Sequence, residues 1–141
     1  MLNFHSQLVH SLFTQKNPSM NHTLIAIGRI VYALAIGYMG LGHFTATKEM
    51  EMMVPAFLSG MALPLTYFTG VCIVLAAVSF IINKWTRWSG LLMALFLLLT
   101  ILLVHAPGFS DPTMMQVSMG NAARDAGLLG AALMIAGLSK S

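Results

Sequence analysis

Five side chains set in otherwise apolar stretches have chemistry to offer: Arg29, His43, His105, Arg124 and Asp125. An ionisable group inside a bilayer is expensive, so each needs a partner or a purpose. An imidazole such as His43 or His105 can supply a proton to a carbonyl oxygen, and a carboxylate such as Asp125 can hold that imidazole in place. Together with an apolar groove, this set could hold a mostly apolar molecule that carries hydrogen-bonding groups. Each residue taken alone has a simpler reading. A histidine at a helix end meets the headgroups, an aspartate in the first turns of a helix is favoured by the helix dipole, and Arg124 is close enough to the surface to snorkel. The adjacent residues 124 and 125 nevertheless point about 100° apart on a helix, so at least one should face the interior of a bundle.

The elements that must position these groups follow from composition. Of 141 residues, 57% are hydrophobic and only 8% charged, with a mean hydropathy of +0.81. A soluble domain carries about a quarter charged residues, so the bilayer is the expected solvent. A spanning helix needs about 20 apolar residues. Four segments meet or approach this length, at 23–42, 61–82, 85–105 and 121–138. Pro64 falls in the first turn of the second, and Trp85 and Trp88 open the third as interfacial rings. The expected fold is therefore all-α, a polytopic membrane protein built as a four-transmembrane-helix bundle, with residues 23–141 as one domain.

Four spans put residues 1–22, the 83–87 connection and the C-terminal tail on one side, with Lys16, Lys84, Arg87 and Lys140 and no acid. The other side sets Lys48 against Glu49, Glu51 and Asp111. The positive-inside rule then expects both termini in the cytoplasm. Residues 1–22 space Phe4, Leu8, Val9, Leu12 and Phe13 at helical intervals before Asn17-Pro18, as a short interfacial helix would. In this topology His43, His105, Arg124 and Asp125 converge near the outer interface. Arg29 lies about 21 Å below His43, in a separate layer.

Several functions are disfavoured. The formal charge of +3 is scattered, so nucleic acid is not an expected partner. One cysteine, Cys72, precludes a disulfide or CxxC pair within the chain. Residues 1–22 do not resemble a secretory signal peptide, so the first apolar run is expected to be retained. No covalent cofactor motif or dinucleotide fingerprint is present, and no internal repeat suggests an inverted-repeat transporter. Small residues at four-residue spacing, Ala33 and Gly37 against Ala123, Gly127 and Ala131 or Ala122, Ala126 and Gly130, predict that the first and fourth helices touch. Met50, Met52, Met53, Met61, Met114, Met115 and Met119 gather at the outer connections. Thioethers are soft ligands for Cu(I), but adaptable apolar filling is the stronger explanation, and no metal site is assigned. Asp111-Pro112 has the look of a helix start that would carry Met114, Met115 and Met119 into the fourth span.

The order of short motifs along the chain resembles the DoxX-like family of small four-helix membrane proteins over about residues 24–138. The matching features are Gly28-Arg29-Ile30, Gly40-x-Gly42-His43-Phe44, Val54-Pro55, Tyr67-x-Thr69-Gly70, His105, Arg124-Asp125 and Gly130-Ala131-Ala132-Leu133. Where many members carry an acid shortly after the glycine matching Gly70, this chain has Val71, Cys72 and Ile73. The resemblance implies a quinone-linked subunit or accessory of a membrane oxidoreductase complex in the bacterial inner membrane. Its partners would be the lipid bilayer and other membrane or redox proteins, with further copies of the chain as an option. It adds Tyr67 to a cofactor-binding set of His43, His105, Arg124 and Asp125, with His43, His105 and Asp125 as the catalytic candidates. Catalysis by this chain alone is not expected, since no electron carrier is encoded. The alternatives are an assembly or chaperone-type scaffold and a copper-handling protein using the outer Met and His residues.

Overall fold

The computed structural model describes residues 18–139. Among these residues the chain is helical and has no strand. Helix α1 spans Pro18–Thr45 and the short α2 spans Thr47–Met52. A 3-10 segment, Ala56–Met61, leads into α3 at Ala62–Ile82. Helix α4, Thr86–Thr100, continues through a π turn at Ile101–His105 and a 3-10 turn at Ala106–Ser110, and α5 spans Met115–Leu138. Three stretches, Asn21–Thr45, Ala56–Ile82 and Thr86–Ser110, are long and apolar enough to cross a membrane. The amphipathic helix expected before Asn17 lies outside the described residues.

Two helices begin earlier than the hydropathy suggests. Proline lacks the N–H that would go unsatisfied in a first turn anyway, so Pro18 can open α1. Helix α5 starts at Met115, not near Asn121. Before it, the Asp111 carboxylate accepts the Thr113 N–H at 2.8 Å and the Thr113 hydroxyl at 2.7 Å. The Met115 N–H then reaches the Asp111 carbonyl at 2.8 Å, so this turn feeds directly into the helix. Those bonds hold the Asp111 carboxyl below its ordinary range, the side-chain bond from Thr113 contributing most.

The helices pack as two antiparallel pairs, α1 along α3 and α4 along α5. Gly37 and Gly40 lay α1 on Ala77, Ile73 and Val74 of α3, and a Cβ at Gly70 would come within 2.7 Å of the His43 Cβ. Gly90 does the same for the other pair, where a Cβ would stand 2.8 Å from the Ala132 carbonyl oxygen. The expected contact between the first and fourth helices is corrected: α1 and α5 hardly touch. Gly127 is exposed, and both it and Gly130 face open space. Helix α5 carries more than one small-residue face, and the one holding Ala132 and Ala136 is used, against α4.

Burial is distributed as a bilayer would favour. The interior is built largely from small and polar side chains, including Ala33, Ala77, Ala132, Thr66 and Ser118, whereas Val31, Leu34, Leu75, Leu92 and Met134 are exposed. Without a hydrophobic drive between helices, close backbone approach and internal hydrogen bonds hold a bundle together. At one end these bonds are explicit. Asn83 ends α3 in the left-handed region, the Ser79 hydroxyl donates to the Lys84 carbonyl, and Ser89 donates to Ser79 at 2.7 Å. Thr86 and Ser139 join the start of α4 to the end of α5 through hydroxyls 2.6 Å apart. Next to this end Tyr32 meets Phe80 edge-on, centroids 5.5 Å apart, and Ile36, Met93 and Leu97 continue the core.

Candidate functional site

Away from that closed end the two helix pairs enclose a cavity of about 780 Å³. Most of its wall is apolar: Ile73, Leu65, Phe96, Leu97 and Val104 from the long helices, with Met50, Met53, Val54 and Pro55 from α2 and the loop after it. The polar lining comes from all four long helices: His43 on α1, Thr66 and Thr69 on α3, Thr100 on α4 with His105 in its π turn, and Asn121, Arg124 and Asp125 on α5.

His105 lies at the end of the π turn. The buried face of α4 runs through Gly90, Met93, Ala94 and Leu97. Eight residues beyond Leu97, an uninterrupted helix of 3.6 residues per turn would place a side chain about 80° from Leu97, at the edge of that face beside Ala94. The wider turn at Ile101–His105 absorbs much of this rotation, and His105 is only 6% exposed. Asp125 belongs to the buried line Ser118, Asp125, Ala132 on α5 and is 1% exposed.

The buried imidazole and carboxylate meet. His105 Nε2 donates to Asp125 Oδ2 at 3.0 Å. Arg124 closes the other side of the carboxylate, with Nε and one terminal nitrogen each 2.9 Å from Oδ1. The guanidinium bends back from a side chain that is 52% exposed. Removing a carboxylate from water is costly unless its oxygens are paired, and here both accept N–H donors. The reading of Asp125 as an anion at a helix N-terminus is corrected by the position of Met115. Asp125 lies about 15 Å along α5, and the dipole contribution fades within the first turn.

His43 lines the same cavity but is not joined to Asp125. Its Nδ1 donates to the Met39 carbonyl at 3.0 Å, one turn back on its own helix. Arg29 is outside the cavity, and its buried Nε has no hydrogen-bond partner. Tyr67 departs from its expected place: it is exposed and stacks on Phe44 at a centroid distance of 5.9 Å, outside the cavity wall. One residue earlier a side chain points about 100° elsewhere on the helix. Thr66 accordingly faces inward, 3% exposed, with an Oγ1 that makes no hydrogen bond. Thr66, Thr100 and Asn121 are site residues that charge and motif do not reveal, and Thr69 stands in the Tyr67-x-Thr69-Gly70 motif, from which only Tyr67 is expected at the site. The available signal for two of them was polar spacing, since Thr66 and Thr69 share a helix face with the buried Gly70 and Ile73. Of the methionines at the outer connections only Met50 and Met53 reach the cavity, joined there by Met39.

This arrangement can take up a mostly apolar molecule and address its polar end with imidazole, hydroxyl and guanidinium groups. The volume falls within the ~300–1,000 Å³ of small-molecule sites. No curated protein and no solved structure matches the chain. A family model does match, over residues 32–107, which covers the second half of α1 and runs just past the π turn, taking in His43, Thr66 and His105 and stopping short of Asp125. With more than half its length matched, the chain belongs to the family described as Domain of unknown function (DUF8561).

Proposed function

We propose that the protein is a four-span integral membrane protein whose cavity binds a quinone-type molecule from the bilayer, acting as a quinone-linked subunit or accessory of a membrane oxidoreductase complex. The observation that carries this reading is the Arg124–Asp125–His105 chain set into the wall of an otherwise apolar cavity. A quinone has an apolar body and a polar ring, and that division matches the cavity wall. The resemblance to DoxX-like proteins supports the same conclusion.

The shape of the opening supports a ligand that arrives through lipid. Tyr38 and Leu41 on α1 and Arg124 on α5 line the cavity and are also exposed, so its mouth lies along the gap where α1 and α5 fail to meet. Tyr38 sits about 10 Å below the end of α1, well inside a spanning helix. Met50, Met53, Val54 and Pro55 cover the end where the helices would emerge. Helix α5 is the fourth span in this reading: 24 residues reach about 36 Å, enough to cross alongside α4. Both termini lie in the cytoplasm of a bacterial inner membrane, because the basic residues without acidic neighbours fall at that end.

The test is a solvent extract of protein purified in mild detergent. Co-purifying quinone, lost in Asp125→Asn, is the expected result. Co-purification of a membrane partner without any quinone would favour the scaffold reading instead.

A further inference from the structure

We infer, resting on the quinone-type reading of the cavity, that the site prefers the reduced dihydroxy form of such a ligand over the oxidised dicarbonyl form. The reason lies in which nitrogens are already committed. A backbone carbonyl can only accept, so the bond to Met39 places the proton of a neutral His43 on Nδ1 and leaves a lone pair on Nε2. The carboxylate of Asp125 likewise requires the His105 proton on Nε2, which leaves a lone pair on Nδ1. Thr100 spends its hydroxyl proton on the Phe96 carbonyl at 3.0 Å, so its oxygen also faces other groups as an acceptor.

Each of these three side chains lines the cavity, and in each the bond already made turns the remaining polar atom into an acceptor. A quinone carbonyl brings acceptors to acceptors. A hydroquinone brings two O–H donors. Thr66, with no bond of its own, and Asn121 can serve either form, and the remaining guanidinium N–H groups of Arg124 donate at the mouth. Thr66 and Asn121 do not choose between the forms, and Arg124, a donor that favours a carbonyl, is half-exposed and already engaged by Asp125, so the two histidines and Thr100 decide. The same tautomers follow from the neighbours alone, a carbonyl for one imidazole and a carboxylate for the other.

The experiment uses the full chain in nanodiscs under argon with three probes: an alkyl-substituted benzoquinone, its hydroquinone, and the dimethyl ether of that hydroquinone. The hydroquinone should bind roughly tenfold more tightly than the quinone, the effect of one or two net hydrogen bonds. The ether, which keeps the ring and tail but has no hydroxyl proton, should bind no better than the quinone. His43→Phe and Thr100→Val should each weaken hydroquinone binding more than quinone binding and so narrow the preference, each serving as the check should the other unfold. Equal or tighter binding of the quinone, or ether binding as tight as the hydroquinone, overturns the inference and leaves the quinone-type reading standing. Failure of all three probes to bind overturns that reading and the inference with it.

Discussion

At the residue scale the decisive group is Asp125, because its two oxygens satisfy partners of very different exposure. The His105 side belongs to a pair in which both side chains are almost fully buried, whereas Arg124 approaches from a half-exposed position. Breaking a buried pair leaves an uncompensated polar group and costs about 3–5 kcal/mol, while exposed pairs are worth about 0–1 kcal/mol. Asp125→Asn presents an N–H2 to a shell of donors, so it should lower the thermal midpoint in detergent well beyond Arg124→Met. Equal effects would show that the carboxylate depends on its arginine and not on the imidazole. A second prediction concerns Asp111, outside the spans. Its carboxyl is held below the ordinary range in the fold, so the stabilisation it gives is present above the unfolded-state value and is lost as pH falls through the lowered one. Protection of the Thr113 amide against hydrogen exchange should persist at neutral pH and disappear only in strong acid. Asp111→Asn should weaken it at neutral pH and remove the acid-dependent loss.

At the element scale the pairing of helices rests on a few backbone approaches. A Cβ at Gly90 would collide with a carbonyl oxygen, an immobile neighbour, whereas Gly127 has open space around it. Gly90→Ala should therefore destabilise the protein by about 1–3 kcal/mol through overpacking of α4 on α5. Gly127→Ala should cause no loss, and thermal denaturation in detergent compares the two directly. The sequence shows that small residues recur at helical spacing on the last helix but not which face is used. Ala122, Ala123, Ala126 and Gly127 form an equally plausible seam in one dimension, and only the position of α4 selects Ala132 and Ala136. The π turn is similarly invisible in the sequence. Nothing in Ile-Leu-Leu-Val-His marks a wider turn, yet it rotates His105 further toward the middle of the face that meets Asp125.

For the whole molecule, the cavity exists because the helices associate as two pairs that are tied together at one end and separated at the other. In the proposed membrane setting its mouth opens to lipid and not to water. A spin label on Thr69→Cys in a Cys72→Ser background should relax more readily with dissolved oxygen than with a water-soluble nickel chelate. The reverse ranking would place the mouth at the aqueous surface. A reporter fused after Ser141 should be active in the cytoplasm, and activity of a periplasmic reporter there would overturn the orientation.

The sequence by itself determined the helical character, three of the four apolar spans expected from it and the short set of residues with chemistry to offer. Those properties are local: hydropathy, helix period and ionisable groups are read from neighbours along the chain. It also placed His43, His105 and Asp125 at comparable depth, since depth follows from counting residues along each helix. Tertiary structure decided which of these groups meet. His105 and Asp125 bond, His43 turns to its own backbone, Thr66 takes the inward position expected of Tyr67, and α5 turns its small residues to α4 and leaves α1 apart. Rotation about a helix axis and the choice of neighbouring helix depend on every contact a face can make at once, and residue spacing along one chain does not contain that information.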